Sequence, residues 1–218
     1  MKTIKRWKFL REGLKSNSGN LTWKIGKWEK CGAELSMCNH GLHCSKEINQ
    51  AFSFVSGEVL AKVEVKGKKL VDDDKECYSD MRIVKAWKWT KKDSVSLAIY
   101  AAELVIGIYE KKYPKDDRPR KAIEAAKNWL KHPTKKNKIA ANAAVYAASN
   151  AANAAVNAAN AAYAAYAANA ANAANAAYAA YAANAANAAY AANAVREESV
   201  AKIETWMVKR VKKLEEIK

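Results

Sequence analysis

The chain has 218 residues and a formal net charge of +16, with 38 Lys+Arg against 22 Asp+Glu, so one large domain or two small ones can fit. Half of it is hydrophobic by count, but alanine supplies much of that share and buries little area. The opening MKTIKRWKFLREGL lacks an apolar run of signal-peptide length, and the only segment long enough to span a bilayer carries regularly spaced Asn, so a cytoplasmic location, no membrane span and reduced thiols are expected.

Thr3 to Leu10 reads as a strand, and GLKSNSGN from Gly13 to Asn20 as a turn-rich loop. Leu21 to Trp28 alternates apolar and polar residues, which predicts a half-buried strand. Glu34 to Met37 reads as a short strand. Ser45 is the expected N-cap of a short helix over Asn49 to Val55. Glu58 to Val65 and Arg82 to Trp89 are strand patterns, separated by an acidic loop from Val71 to Ser79. Five of the seven Trp (Trp7, Trp23, Trp28, Trp87, Trp89) lie in this part, which predicts an aromatic core.

Asp93 is the expected cap of a helix reaching Tyr113, with an apolar face through Leu97, Tyr100, Ala101, Leu104 and Ile108. Asp117 caps a second helix with Pro119 in its first turn, ending near Lys131. Pro133 and Thr134 restart the chain. Val200, Ile203, Met207, Val211 and Leu214 form the stripe of a last helix. The expected fold class is α+β: a small, mostly antiparallel sheet domain over 1–90, then an all-helical, Ala-rich repeat domain over 91–218.

Ile139 to Val195 is almost entirely Ala, Asn and Tyr, and carries no charge, Gly or Pro. Ile139, Asn142, Tyr146, Ser149, Asn153, Val156, Asn160 and Tyr163 alternate spacings of three and four, an α-helical seam. From Asn160 to Asn193 the repeat is strictly Ala-Ala-X. On an α-helix that period walks around the axis; on a 3₁₀-helix it forms one straight ridge. A small-residue solenoid is the third alternative. The candidate interaction ridge is Asn160, Tyr163, Tyr166, Asn169, Asn172, Asn175, Tyr178, Tyr181, Asn184, Asn187 and Tyr190. As one helix the block is about 85 Å long, more than its own domain can cover, which points to self-association or a protein partner.

Residues 1–138 hold 31 Lys+Arg against 17 Asp+Glu. A basic region makes nucleic acid a second class of partner. The excess of Lys over Arg argues instead for a solvated surface, because base readout favours Arg. Cys38, His40, His43 and Cys44 are residue types that bind zinc, but no C-x-x-C pair occurs and the spacing fits no common finger. A tight turn at Gly41 inside a small core accounts for them, and no metal or cofactor is expected. Asp72, Asp73 and Asp74 read as a solvated charge run.

The run Cys38-Asn39-His40-Gly41-Leu42-His43-Cys44-Ser45, a short helix, then Glu58 to Gly67 (EVLAKVEVKG) resembles an uncharacterised phage domain family over roughly residues 1–90. That family's pattern is C-x-x-G-F/L-H-A-C/S, a helix, then a V-E-V-x-G strand; Leu42 and Cys44 are mild departures. Asp116 to Trp129 (DDRPRKAIEAAKNW) is similar to the helical domain of putative bacterial immunity proteins, over about 93–195. The strict Ala-Ala-Asn period departs from that family's Arg- and His-bearing pattern. The two resemblances imply a phage or prophage origin and a helical second half. A looser likeness to the ADP-ribosyltransferase fold would give Arg6 or Arg11 the dinucleotide, place His43 and Ser45 at the nicotinamide pocket and make Glu64 the acid. The expected function is a non-enzymatic protein-interaction or self-assembly module. The alternatives are an ADP-ribosyltransferase-like enzyme or nucleotide binder in the N-terminal domain, and a basic nucleic-acid-binding protein.

Overall fold

The computed structural model describes residues 3–32, 34–54, 58–141 and 193–218. The Ala-Ala-X repeat, its alternative helix types and the whole ridge from Asn160 to Tyr190 lie outside the described residues. The chain divides into two compact units, Met1–Trp89 with Met207–Lys218, and Thr90–Trp206.

The first unit is an antiparallel sheet built around two long strands, β4 (Val59–Val71) and β5 (Glu76–Lys88). Val63, Val65, Met81 and Ile83 face each other across this pair and are fully buried. Each such side chain contributes about 1.5–3 kcal/mol on burial. Strand β1 (Ile4–Leu10) pairs with the outer edge of β4, from Ile4 opposite Val65 to Leu10 opposite Val59. The other edge of β5 takes three short segments in succession. These are β3 (Leu42–Cys44) on Glu76–Tyr78, β2 (Trp28–Lys30) on Asp80–Arg82, and β6 (Glu216–Ile217) on Ala86–Trp87. The backbone of Ser45, just after β3, exchanges two 2.9 Å hydrogen bonds with Trp7 of β1. The pairings therefore run from β1 through β4, β5 and β3 and back to β1, closing a ring. On the other side of β1, Phe9 meets Phe52 of helix α1 (Ile48–Phe54) edge-on at 4.7 Å and Trp89 at 5.5 Å.

Several elements differ from the sequence pattern. Leu21 to Trp28 alternates correctly but forms no strand before Trp28, because its backbone bonds the preceding loop: Ser16 N–H to Leu21 O, and Trp23 N–H to Leu14 O. Glu34 to Met37 contributes only a bridge between Ser36 and His40. Ser45 is not a helix cap, since its backbone is committed to Trp7; α1 begins at Ile48, and Glu47 N–H is met by Gln50 Oε1 at 3.1 Å. The acidic loop shrinks to a turn closed by Asp72 N–H to Lys75 O, and both flanking strands are longer than their apolar cores. A register shift between Lys66 and Lys69, with Gly67 at φ +84°, lets β4 continue through polar residues. The second half is not wholly helical, because Glu216–Ile217 adds a strand to β5.

In the second unit, α2 (Lys91–Lys112) starts at Thr90, not Asp93. Thr90 accepts from Asp93 N–H and the Asp93 carboxylate accepts from Thr90 N–H, a reciprocal capping box. Helix α3 (Arg118–Lys131) buries Pro119, Ala122, Ile123 and Ala126, one stripe at helical spacing. Its polar flank reaches α2 through Arg120 on Glu110 and Lys127 on Glu103, both at 2.7 Å. Asp117 begins α3 without a side-chain cap bond and pairs instead with Lys121. Thr134 caps a further helical stretch at 135–141 by accepting from Asn137 N–H. Helix α4 (Asn193–Val211) begins in the second unit and ends in residues of the first; of its expected stripe Ile203, Met207 and Val211 are buried, Val200 is half-buried and Leu214 lies past the helix end.

Candidate functional site

The Cys38–Ser45 run forms one wall of a cleft of about 360 Å³ in the first unit. Lys8, Trp23, Cys38, His43, Cys44 and Ser45 are among its lining residues, with Ser16, Asn17 and Ser18 from the first loop.

The signature residues hold the turn that leads into β3. Ser36 and His40 exchange two 2.9 Å backbone bonds around it, and Cys38 sits at φ +68°. The Cys38 N–H donates to His43 Nε2 at 3.0 Å. An accepting Nε2 leaves the proton of the neutral ring on Nδ1. The ring also hydrogen-bonds the Gly41 backbone. Burial lowers the His43 pKa and nearby Lys8 lowers it further, against the Gly41 bond. His43 is therefore a neutral clamp on its own turn. Gly41 has φ +130°, and a Cβ there would lie 2.2 Å from Cys77 Sγ. Cys77 in turn donates its thiol to His40 O at 3.5 Å. The spacing C-x-x-G-L-H thus reads as a structural unit: a turn, a glycine where a thiol packs against the backbone, and a histidine that closes the loop.

Alternation along β3 puts Cys44 on the opposite strand face from His43. Burial pushes the Cys44 thiol up to about 12, although Lys8 opposes the shift. Among the described residues no group of three or more His, Cys, Asp or Glu side chains is placed to hold a metal ion.

Arg6, Lys8 and Leu10 share one face of β1. Arg6 binds both oxygens of Glu76, and Tyr78 donates its hydroxyl to Glu76 Oε2 at 3.0 Å. Burial alone would raise the Glu76 pKa; the bonds from Arg6 and Tyr78 outweigh it and hold it below the usual value. Next along the face, the half-buried Lys8 donates to His43 O at 2.6 Å. Its pKa is lowered, first by burial, with the thiols of Cys44 and Cys77 opposing. Its Nζ also lies 5.7 Å from the Trp23 ring centroid. Trp23 is anchored in turn by its indole N–H, which donates to Ser16 Oγ at 2.9 Å.

The proposed transferase residues divide. His43 and Ser45 both line the cleft. Glu64 does not: it accepts from Arg82 at 2.6 and 2.9 Å, its cross-strand neighbour on β5. Arg6 is held by Glu76, and Arg11 Nε donates to Ser16 O. Sequence reasoning missed Lys8 and Trp23. Lys8 was legible in principle as a lysine two residues from Leu10, on the inward parity of a strand. Nothing in the alternating run around Trp23 distinguishes a loop anchor from a strand residue.

Comparison with known families divides the chain in a related way. Residues 4–92 match a domain of unknown function, DUF7666. Residues 86–214 match the family described as Imm-5 like putative immunity protein. No curated protein and no solved structure matches the chain.

Proposed function

Because the chain belongs to the Imm-5 like putative immunity protein family over residues 86–214, we propose that it is a non-enzymatic module whose helical unit binds a protein partner. The observation that carries this reading is a groove of about 350 Å³ in that unit. Its walls include Ile99 and Tyr100 from α2, Leu130 from α3 and Trp206 from α4. Tyr100 and Trp206 stack with ring centroids 5.8 Å apart and an interplanar angle of 20°. Glu103, Lys127 and Lys131 give the groove a charged rim. A half-buried aromatic pair inside such a rim is the composition that concentrates binding energy at protein interfaces.

The Ala-rich ridge from Asn160 to Tyr190 is read from its sequence as a second interaction segment, either toward the partner or toward a second copy. The net charge of +16 favours an acidic partner through faster encounter. A phage or prophage setting is part of this reading. The commitments of His43 to its turn and of Glu64 to Arg82 support a role without catalysis.

The test is affinity capture from native host lysate with the full chain and with Tyr100→Ala. Reconstitution with the purified captured protein follows. A single protein bound directly by the wild type and at least tenfold more weakly by Tyr100→Ala supports the reading. Absence of any directly binding protein, or equal binding by the variant, overturns it.

A further inference from the structure

We infer that the cleft against β1 is a binding site for a small anionic molecule, its carboxylate or phosphate held by Lys8 and its apolar body resting on Trp23 and Leu21. This goes beyond the protein-binding role of the helical unit and stands on different residues.

The first observation is charge. Lys8 and Lys75 line the cleft, and among the described residues no Asp or Glu lines it. Lys75 is half-buried and pairs with the exposed Asp72 at 3.8 Å. Burial weighs most on the Lys8 ammonium, and among the described residues no carboxylate forms an ion pair with it. An ammonium removed from water without a counterion is costly. Evolution usually avoids that placement, since Lys is seldom buried unless paired. Here an incoming anion supplies the missing counter-charge.

The second observation is valence. An ammonium carries three donors. Among the described residues Lys8 Nζ makes one hydrogen bond, to His43 O. The neighbouring anion, Glu76, is already claimed by Arg6 and Tyr78. Its oxygens are thus committed elsewhere on the same face.

The third is shape and support. A volume of about 360 Å³ lies at the low end of small-ligand pockets, which run to roughly 300–1,000 Å³. Leu21 and the Trp23 ring give it apolar wall, and Ser16, Asn17 and Ser18 place short polar side chains beside it. Trp23 is fixed by its bond to Ser16, and the opposite wall by the His43 clamp. The cleft is therefore preformed, so binding need not order its walls.

The experiment titrates the full chain with four probes of similar size: benzoate, phenyl phosphate, benzamide and benzylamine. The readout is the indole N–H resonance of Trp23 in a ¹⁵N-labelled sample. Benzoate, phenyl phosphate or both should shift that resonance and bind at least about tenfold more tightly than benzamide, with benzylamine weakest; which anion wins identifies the headgroup. Lys8→Met should abolish the preference for anions, and Lys8→Arg should keep it. Equal binding of benzoate, phenyl phosphate and benzamide overturns the inference. So does a Trp23 resonance that neither anion moves, or anion binding that survives in a folded Lys8→Met protein. Should Lys8→Met fail to fold, the wild-type charge series at Trp23 decides by itself.

Discussion

Arg6 on β1 grips both carboxylate oxygens of Glu76, seventy positions along the chain at the start of β5. Their side chains are only 16% and 12% exposed, so this is a largely desolvated, two-point pair joining strands that are not sheet neighbours. Glu76→Gln keeps the shape but leaves the guanidinium without its counter-charge. The expected loss is about 2–4 kcal/mol, near that for breaking a buried pair. The folded carboxyl lies below its ordinary value, so its stabilisation is present above the ordinary carboxylate range and disappears as pH falls through the folded value. Urea melts of wild type and Glu76→Gln at neutral and acid pH check this: the gap between them should close toward low pH.

Gly41 is tied to Cys77 by space. With φ +130° and a virtual Cβ 2.2 Å from Sγ, Gly41→Ala meets both backbone strain and overpacking. A loss of more than about 2 kcal/mol is expected from the two together. Cys77→Ala in the same chain should restore only part of it, because removing sulfur relieves the clash and leaves φ unchanged. Thermal melts of the two single variants and the double variant give the comparison.

The four thiols should differ sharply in reactivity. Cys38 is exposed and Cys31 is intermediate, whereas Cys44 and Cys77 are buried. Burial raises both buried thiols, Cys44 to about 12, so almost no thiolate is present there at pH 8. A disulfide reagent added to native protein should label Cys38 first. Cys44 and Cys77 should react only on unfolding, which mass spectrometry of timed samples can follow.

In the helical unit, Asp116 joins α2 to the start of α3. It accepts from Tyr109 Oη at 2.7 Å and from Arg118 through N, Nε and Nη2. The Arg118 bonds, with help from Tyr109 and against burial, hold its pKa at about 2. A depressed carboxyl stabilises the fold above the ordinary carboxylate value near 3.9 and ceases to do so as pH falls through about 2. Asp116→Asn should cost about 1–2 kcal/mol at neutral pH and much less at pH 2. Helicity followed during urea unfolding at both pH values is the check.

Helices α2, α3 and α4 were legible because their signals are local: capping residues, Pro119 in a first turn, and apolar stripes at spacings of three and four. The long strands were legible in their apolar cores but not in their length, since polar pairs such as Lys66 with Asp80 continue the ladder. Strand β6 could not be found from its sequence. Glu216 and Ile217 carry no strand pattern, and their conformation follows from the free edge of β5 at Ala86 and Trp87. The candidate site was half legible. The C-x-x-G-L-H residues fall on one wall of the cleft, where they serve the turn. Lys8 and Trp23 come from segments 15 or more residues away, and only the ring closed by Trp7 and Ser45 brings them together with His43.

Protein binding by the helical unit is proposed to run through the groove of Tyr100 and Trp206. The most direct measurement is a calorimetric titration of the captured partner into wild type, Tyr100→Ala and the exposed rim variant Lys131→Glu, each first shown to melt like wild type. Wild type should bind at about micromolar affinity or tighter, Tyr100→Ala at least tenfold more weakly, and Lys131→Glu with a smaller, salt-sensitive loss. Identical affinities across the three folded proteins would contradict binding through this groove.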